Sequence, residues 1–192
     1  MVYPANFDMA QKFVAKWEGG YSYHPNDPGG ATNYGVSLRW LRELGLEDGD
    51  VDGDGDIDVD DIKALTPEQA AALFKKHFWH PYHCEELPEL TACIYYDTMV
   101  NTGPKQAAKI MQRGYNACKP STSLSVDGIA GPLTRSSMQA MKDSSVFLVS
   151  CIDARDNFYR GLVISKPKFK PFLYGWLNRT TDLRRYTGVY GI

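Results

Sequence analysis

The sequence predicts a mostly helical fold with at most a small β-hairpin. Three observations support this prediction. Apolar residues recur at helical spacing in successive segments, helix start and stop signals bound most of these segments, and only residues 21–36 are rich enough in turn formers to suggest a hairpin. With 192 residues and 43% hydrophobic content, the chain can bury a core as one domain or two small ones.

The first predicted helix covers residues 7–18. Its apolar side chains follow helical spacing, Asn6 can cap its start, and Gly19-Gly20 can end it directly after Glu18. Residues 21–33 contain many Pro, Gly, Asn and Asp residues, which favours an irregular loop or a short hairpin. Loops of this kind often carry functional residues.

The remaining segments predict a chain of further helices. Thr66, Pro67 and Gln69 supply an N-cap, a first-turn proline and the partner of a capping box. Residues 119–123 are typical of a linker or long turn, so we expect one domain at residues 1–118 and a second at 119–192, packed on the first. The expected helices cover residues 37–44, 66–78, 88–101, 104–117, a short segment to 141, and 144–163, followed by a Pro-flanked segment that ends at 176–179.

The formal net charge of −2 conceals an uneven distribution. Seven of the 23 acidic residues lie within residues 50–61, and the other 16 against 21 basic residues leave a balance of +5. A mildly basic body suits an anionic polymer, but the excess is too small and scattered for nucleic-acid binding. The sequence shows no signal peptide and no long apolar run, so we expect a protein that does not insert into membranes and reaches its target by a separate route. We also expect a monomer.

Glu18, Asp27 and Thr32 are the candidate catalytic residues. Glu18 follows Trp17 at a helix end, where unpaired carbonyls disfavour a negative charge and help a carboxyl group keep its proton. A general acid that works near neutral pH needs such a proton. The loop that follows can bring Asp27 and Thr32 back to face Glu18. On spacing alone, a solvated Glu18 beside an ordinary turn at residues 27–30 is an equal alternative.

Several segments closely resemble glycoside hydrolase family 108, which contains N-acetylmuramidases of bacteria and phages. Residues 17–21 (WEGGY), 26–36 (NDPGGATNYGV) and 96–103 (YDTMVNTG) resemble its catalytic domain. Residues 126–132 (VDGIAGP) and 172–179 (FLYGWLNR) resemble the small peptidoglycan-binding region that usually follows. The resemblance implies a lysozyme-like helical fold and hydrolysis of the β-1,4 bond between N-acetylmuramic acid and N-acetylglucosamine, with Glu18 as the essential acid.

The order of Glu18, Asp27 and Thr32 also resembles phage-type lysozymes, although one residue fewer separates Asp27 from Thr32 here. The resemblance implies an enzyme made in the bacterial cytoplasm, of phage or bacterial origin. It would act on peptidoglycan in the periplasm or cell wall after release by a holin or a dedicated export route. A non-catalytic, calcium-dependent peptidoglycan-binding protein is the alternative, and the intact catalytic set favours the enzyme.

Tyr34, Asn101 and Trp176 are the candidate substrate-binding residues. Asn101 could contact a sugar acetamido group, or it could be an ordinary polar residue near a helix end. Trp176 could stack on glycan, although aromatic residues at helical spacing more often belong to the core.

Residues 50–61 (DVDGDGDIDVDD) match the twelve-residue calcium loop of an EF-hand. Aspartates occupy positions one, three and five, glycine position six, isoleucine position eight and aspartate position twelve, where glutamate is usual. A solvated acidic loop is the alternative, but the glycine and isoleucine at their specific positions favour one calcium ion. The predicted ligands are Asp50, Asp52, Asp54, Asp56 (through its carbonyl) and Asp61.

Histidines and cysteines suggest no catalytic metal and no organic cofactor. His77, His80, His83 and Cys84 lie close together, but Pro81 interrupts the helical register and no zinc-hydrolase pattern is present, which favours structural roles. The four cysteines form no CxxC pair and are expected to be reduced core thiols.

Overall fold

The computed structural model describes residues 5–23 and 30–189. Within this part of the chain the fold is mostly helical with one antiparallel sheet of two strands, as the sequence predicts. The strands are β1 (Thr32–Asn33) and β2 (Val36–Ser37). The α-helices are α1 (Phe7–Glu18), α2 (Leu38–Leu44), α3 (Leu46–Gly49), α4 (Val59–Ala64), α5 (Pro67–Phe74), α6 (Glu89–Thr102), α7 (Pro104–Cys118), α8 (Pro132–Ala140), α9 (Ser145–Ser165) and α10 (Leu173–Tyr186).

The helix-start signals act as predicted. The Asn6 side chain accepts a hydrogen bond from the Asp8 amide at 2.9 Å. At the start of α5 the Thr66 hydroxyl accepts from the Gln69 amide at 3.2 Å, while the Gln69 side chain accepts from the Thr66 amide at 2.9 Å. This reciprocal pair satisfies two amides that the first helical turn leaves without partners.

Two segments differ from the predicted helices. The helix expected to continue to residue 78 is α-helical only to Phe74 and then forms a π-helical turn, Lys75–Trp79. The segment before residue 176 forms a 3-10 turn, Pro167–Phe172, and then the 14-residue helix α10. Pro167 and Pro171 remove amide donors and hide the start of α10 from a periodicity argument.

The chain divides into two compact units, residues 14–77 and residues 1–13 with 78–192. The boundary predicted after residue 118 falls at the end of α7. In the second unit α7 packs closely on α9, because a Cβ at Gly114 would lie 2.5 Å from the Cys151 sulfur. The division at residue 118 stays a prediction. In the part of the chain that the structure describes, no helix is both long and apolar enough to cross a bilayer.

Helix α6 is the most buried element of the second unit. Nine consecutive residues, 91–99, are buried, as expected of a helix surrounded by protein on all sides. Its start lacks a local side-chain cap, and Asp143 supplies one from a distant turn. The Asp143 carboxylate accepts from the Leu90 amide at 3.0 Å, the Thr91 amide at 2.8 Å and the Thr91 hydroxyl at 2.7 Å.

A buried ion network joins α6 to α9 and α10. Asp97 is fully buried, and its carboxylate lies 2.5 Å from Arg155 Nη1 and 2.7 Å from Arg179 Nη2. Burial alone would raise the pKa of Asp97, but the two guanidinium groups hold that pKa below its ordinary value. Removing one member would leave a buried charge without its partner, so this network ties three helices together.

Candidate active site

Glu18 is the last residue of α1 and lies over the β-hairpin. The left-handed conformation of Gly19, with φ of 66°, ends the helix directly after it. A Cβ placed on Gly35 would lie 2.8 Å from Glu18 Cγ and 3.0 Å from Glu18 Oε2. The carboxyl group of Glu18 is therefore held against the backbone of the hairpin turn, where only glycine leaves room for it.

The hairpin turn requires the residues that the sequence places there. Strands β1 and β2 pair with Thr32 opposite Ser37 and Asn33 opposite Val36, so two residues form the loop. Tyr34 and Gly35 both have positive φ, 48° and 82°, which is the pattern of a type I′ turn. A positive φ is unusual for tyrosine but ordinary for glycine. Position 35 requires glycine for a second reason, because any Cβ there would collide with the Glu18 side chain.

Of the other two predicted catalytic residues, the structure describes Thr32 but not Asp27. Thr32 lies in β1, and its backbone forms a reciprocal pair of 2.8 Å hydrogen bonds with Ser22. Ser22 follows Glu18 closely in the chain, so Glu18, Thr32 and the turn residue Tyr34 belong to one hairpin region. Asp27 lies within residues 24–29, outside the described residues.

Asn101 and Trp176 are brought together in the second unit by a residue that the sequence analysis did not identify. The buried Tyr159 of α9 donates a hydrogen bond from its hydroxyl to the Asn101 side-chain oxygen. The Tyr159 ring stacks on Trp176, with centroids 5.0 Å apart and planes 22° apart. Trp176 also stacks on Phe172, which is 56% exposed, with ring centroids 5.9 Å apart. The predicted substrate-binding pair is thus linked to an exposed aromatic surface.

Sequence reasoning missed Gly35, Tyr159 and the two arginines of the buried network. Gly35 had a usable signal, because a Tyr-Gly pair between two short strand-like segments is compatible with a hairpin turn. Tyr159, Arg155 and Arg179 had none, because the residues of α6 that they bind lie 58 to 82 residues away in the chain.

The acidic loop at residues 50–61 adopts the turns that an EF-hand loop needs. Gly55, at position six, has φ of 99°, which favours glycine. Asp58 caps α4 and forms a capping box with Asp61, which is buried and accepts from the amides of Val51, Asp52 and Asp58. These contacts hold the Asp61 carboxylate, at position twelve, against the loop backbone, while the Asp58 carboxylate caps α4.

Six of the seven aspartates of this loop fall into two groups of three. In each group, one carboxylate oxygen from every member lies within 4.8 Å of the others. The groups are Asp50, Asp52 and Asp54, and Asp56, Asp58 and Asp61. The pKa of Asp52 is raised by partial desolvation and by Asp54, while that of Asp56 is raised chiefly by the charge of Asp54. A cation between these groups would relieve that repulsion.

The histidines lie beside carboxylates. His77 Nε2 is 2.9 Å from Asp48, His80 Nδ1 is 3.2 Å from Glu85, and His83 Nδ1 is 2.9 Å from Glu86. Each histidine has a different acidic neighbour, which fits structural roles. Cys84 is buried, and desolvation raises the pKa of its thiol well above the ordinary value.

Comparisons with known proteins agree with this arrangement of sites. Residues 11–103, which contain Glu18, the hairpin and the acidic loop, match the family model described as Glycosyl hydrolase 108. Residues 106–181 match the model described as Predicted Peptidoglycan domain. The solved structure of Brucella abortus SagA is similar, at 28% sequence identity and a TM-score of 0.73, over 95% of this chain and 94% of that chain. The comparison with curated proteins found no match. Residues 11–103 are therefore a glycosyl hydrolase 108 domain, and residues 106–181 are a predicted peptidoglycan domain.

Proposed function

We propose that this protein is a muramidase that hydrolyses the β-1,4 bond between N-acetylmuramic acid and N-acetylglucosamine in peptidoglycan. Glu18 donates the proton that the leaving oxygen needs when the glycosidic bond breaks. The observation that carries the proposal is the position of Glu18, which ends α1 inside a glycosyl hydrolase 108 domain and lies against Gly35 of the hairpin turn. A carboxyl group held against backbone at a loop-rich edge is restricted to few rotamers, as a general acid requires.

Asp27 and Thr32 complete the proposed catalytic set. Asp27 acts as the base that activates water on the opposite face of the sugar, and Thr32 helps to position that water. This assignment requires about 6.5 to 9.5 Å between the carboxyl groups and gives inversion at the anomeric carbon. The configuration of the first product, followed by NMR during hydrolysis of a soluble glycan, tests it. A product with retained configuration would instead make Asp27 the nucleophile of a retaining enzyme.

Tyr34, Asn101 and Trp176 are proposed to contact the glycan. Tyr34 is next to the glycine that Glu18 contacts, so it belongs to the same two-residue turn as that contact. Asn101 has its side-chain oxygen engaged by Tyr159, which leaves its amide hydrogens available for an acetamido carbonyl. Trp176 and the exposed Phe172 offer aromatic faces on which sugar rings can stack.

Digestion of purified sacculi tests the proposed activity. The wild-type protein should release muropeptides that end in reducing muramic acid, identified by mass spectrometry. Glu18→Gln preserves the shape of the side chain but cannot donate the proton, so the rate should fall by about 10²-fold to 10⁴-fold. Glu43→Gln is the matched control, because Glu43 is an exposed glutamate of α2 whose only described ion pair is with Arg39 at 4.0 Å.

The same experiment separates the enzyme from the alternative of a non-catalytic binding protein. A binding protein would sediment with sacculi and release no muropeptides, and Glu18→Gln would change neither result. Near-full lysis by a folded Glu18→Gln variant would remove Glu18 from the acid role. Products that end in reducing N-acetylglucosamine would confirm hydrolysis of the glycan but would show that the enzyme cleaves the other β-1,4 bond.

We also propose that the loop at residues 50–61 binds one calcium ion. Asp50, Asp52 and Asp54 offer carboxylates, Asp56 its carbonyl, and Asp61 closes the site. The close spacing of the Asp50, Asp52 and Asp54 carboxylate oxygens and the positive φ of Gly55 support this assignment. Because aspartate at position twelve reaches less far than glutamate, moderate affinity is expected. The ion would order the loop and stabilise the hydrolase domain, and the chemistry at Glu18 does not pass through it.

A further inference from the structure

A groove between α7 and α9 runs along the predicted peptidoglycan domain. Its volume is about 650 Å³, a size typical of ligand sites. Its lining on α9 extends from Ser150 to Ser165, which at a rise of 1.5 Å per residue spans about 22 Å. The groove is therefore long and shallow, a shape that suits an extended chain better than a compact small molecule.

Two polar side chains of the groove, Gln106 and Arg113, have unused hydrogen-bonding groups in the part of the chain that the structure describes. The side-chain nitrogen of Gln106 is buried without a hydrogen-bond partner. Arg113 has no acidic partner among the described residues. The one acidic lining residue, Asp153, is already neutralised by Arg184 at 2.6 Å. The groove thus offers one uncompensated positive charge and an unused amide donor.

The apolar part of the lining consists of Phe158, Leu162 and small residues. A Cβ at Gly161 would meet no atom within 4 Å, so the floor of the groove is open at this position. Small apolar side chains of a ligand can lie there, while its amides meet Gln106 and Asn157. Arg113 can pair with a carboxylate, for which a guanidinium is well suited.

We propose that this groove binds the peptide stem of peptidoglycan. The stem is a short, extended peptide with alanine methyl groups, backbone amides and free carboxylates, and each of these groups has a counterpart in the groove. The glycan strand carries many hydroxyls and no free carboxylate once the stem is attached, so it would leave Arg113 unused. The inference rests on the proposed function in taking peptidoglycan as the ligand, and it assigns stem recognition to α7 and α9.

Isothermal titration calorimetry of the whole 192-residue chain carrying Glu18→Gln tests this assignment. The probes are a disaccharide tetrapeptide muropeptide, the free tetrapeptide, and N,N′-diacetylchitobiose, a disaccharide of N-acetylglucosamine that carries no carboxylate. None contains the bond that the enzyme is proposed to cleave, so binding is measured independently of hydrolysis. The muropeptide and the tetrapeptide should bind, and the disaccharide should bind at least tenfold more weakly.

Two variants with matched controls locate the site. Gly161→Trp fills the open floor and should weaken muropeptide binding at least tenfold, whereas Gly161→Ala should leave it unchanged. Arg113→Ala should weaken binding about tenfold, the loss expected for one charge-assisted hydrogen bond. Arg160→Ala should have no effect, because Arg160 is exposed on α9 but does not line the groove. If Gly161→Trp fails to fold, the exposed Arg113 still carries the test.

Three results would overturn the proposal. Equal binding of the disaccharide and the muropeptide would identify a glycan site. Binding that is insensitive to both Gly161→Trp and Arg113→Ala would place the ligand elsewhere, and no binding of either peptide probe would remove the site. Lysis of sacculi by the wild-type protein is a separate measurement that does not depend on this binding test. A failure of the stem-binding proposal can therefore be told apart from a failure of the proposed hydrolase activity.

Discussion

The hairpin under Glu18 and the network around α6 are built by different kinds of contact. In the hairpin, Thr32 pairs with Ser37 around the two-residue turn. Glu18, at the end of the helix that precedes the hairpin, contacts Gly35 of that turn. Around α6, Asp97 pairs with arginines 58 and 82 residues away. The proposed acid therefore depends on local turn chemistry, whereas the proposed glycan contacts Asn101 and Trp176 depend on long-range packing. Substitutions in the two regions should accordingly separate activity from stability.

The largest stability loss is expected for Asp97→Asn. The variant leaves Arg155 and Arg179 buried beside a neutral amide, and breaking a buried ion pair in this way costs about 3–5 kcal/mol. Chemical denaturation of the purified variant measures the loss. Asp153→Asn is the matched control, because its carboxylate is 57% exposed beside Arg184 and should cost at most about 1 kcal/mol. Equal losses for the two variants would contradict the distinction between buried and exposed pairs.

The pH dependence of stability follows from the same carboxylate. Arg155 and Arg179 hold the pKa of folded Asp97 below its ordinary value of 3.8. The contribution of Asp97 is therefore complete above pH 3.8 and is lost as the pH falls through the folded pKa. The melting-temperature difference between wild type and Asp97→Asn should shrink in that acidic range. A difference that stays constant from neutral pH to below the folded pKa would contradict this assignment.

The same contrast explains what the sequence could predict. Helix starts such as Asn6 and Thr66, the hairpin and the position of Glu18 all depend on residues within a few positions of each other, and they were predicted. The role of Tyr159 and the buried pairing of Asp97 require knowledge of which helices meet, and spacing along one chain does not contain it. The start of α10 was hidden for a local reason, because Pro167 and Pro171 interrupt the helical pattern before it.

Calcium is expected to have the next largest effect on stability. A ligand that binds only the folded state adds about 2.7 kcal/mol at a hundredfold excess over its Kd. For a chain of this length that corresponds to a rise of about 5–10 °C in melting temperature, measured in calcium against chelator. The double variant Asp50→Ala, Asp54→Ala should abolish the rise.

The control for this experiment is Asp60→Asn. Asp60 carries the same charge in the same loop, but it occupies a position that is not a calcium ligand and pairs with Lys63 at 2.6 Å. The variant should keep the calcium-dependent rise. Identical melting of the wild-type protein in calcium and in chelator would exclude the calcium proposal.

Gly35→Ala should lower activity more than stability. A side chain at φ of 82° costs about 1–2 kcal/mol, and its Cβ would lie 2.8 Å from Glu18 Cγ, so the acid must move. Gly188→Ala also places a side chain in the left-handed region, with φ of 67° after the end of α10, but its Cβ would meet no atom within 4 Å. The two variants should therefore lose similar stability, and only Gly35→Ala should also lose kcat on sacculi. Equal kcat would show that Glu18 does not depend on the turn.

The smallest expected effects compare a local helix cap with a distant one. Thr66→Ala removes one side-chain acceptor at the start of α5 and should cost about 1 kcal/mol. Asp143→Ala removes three hydrogen bonds from the start of α6, and one of them holds the Thr91 hydroxyl, so it should cost more than Thr66→Ala. Asp143→Asn keeps an acceptor and tolerates the left-handed conformation of Asp143, with φ of 57°, so it should fall between the two. Chemical denaturation of the three variants ranks them. If Asp143→Ala costs no more than Thr66→Ala, the distant cap adds nothing beyond what a local cap supplies, and the position of α6 is then set by its buried packing and the Asp97 network.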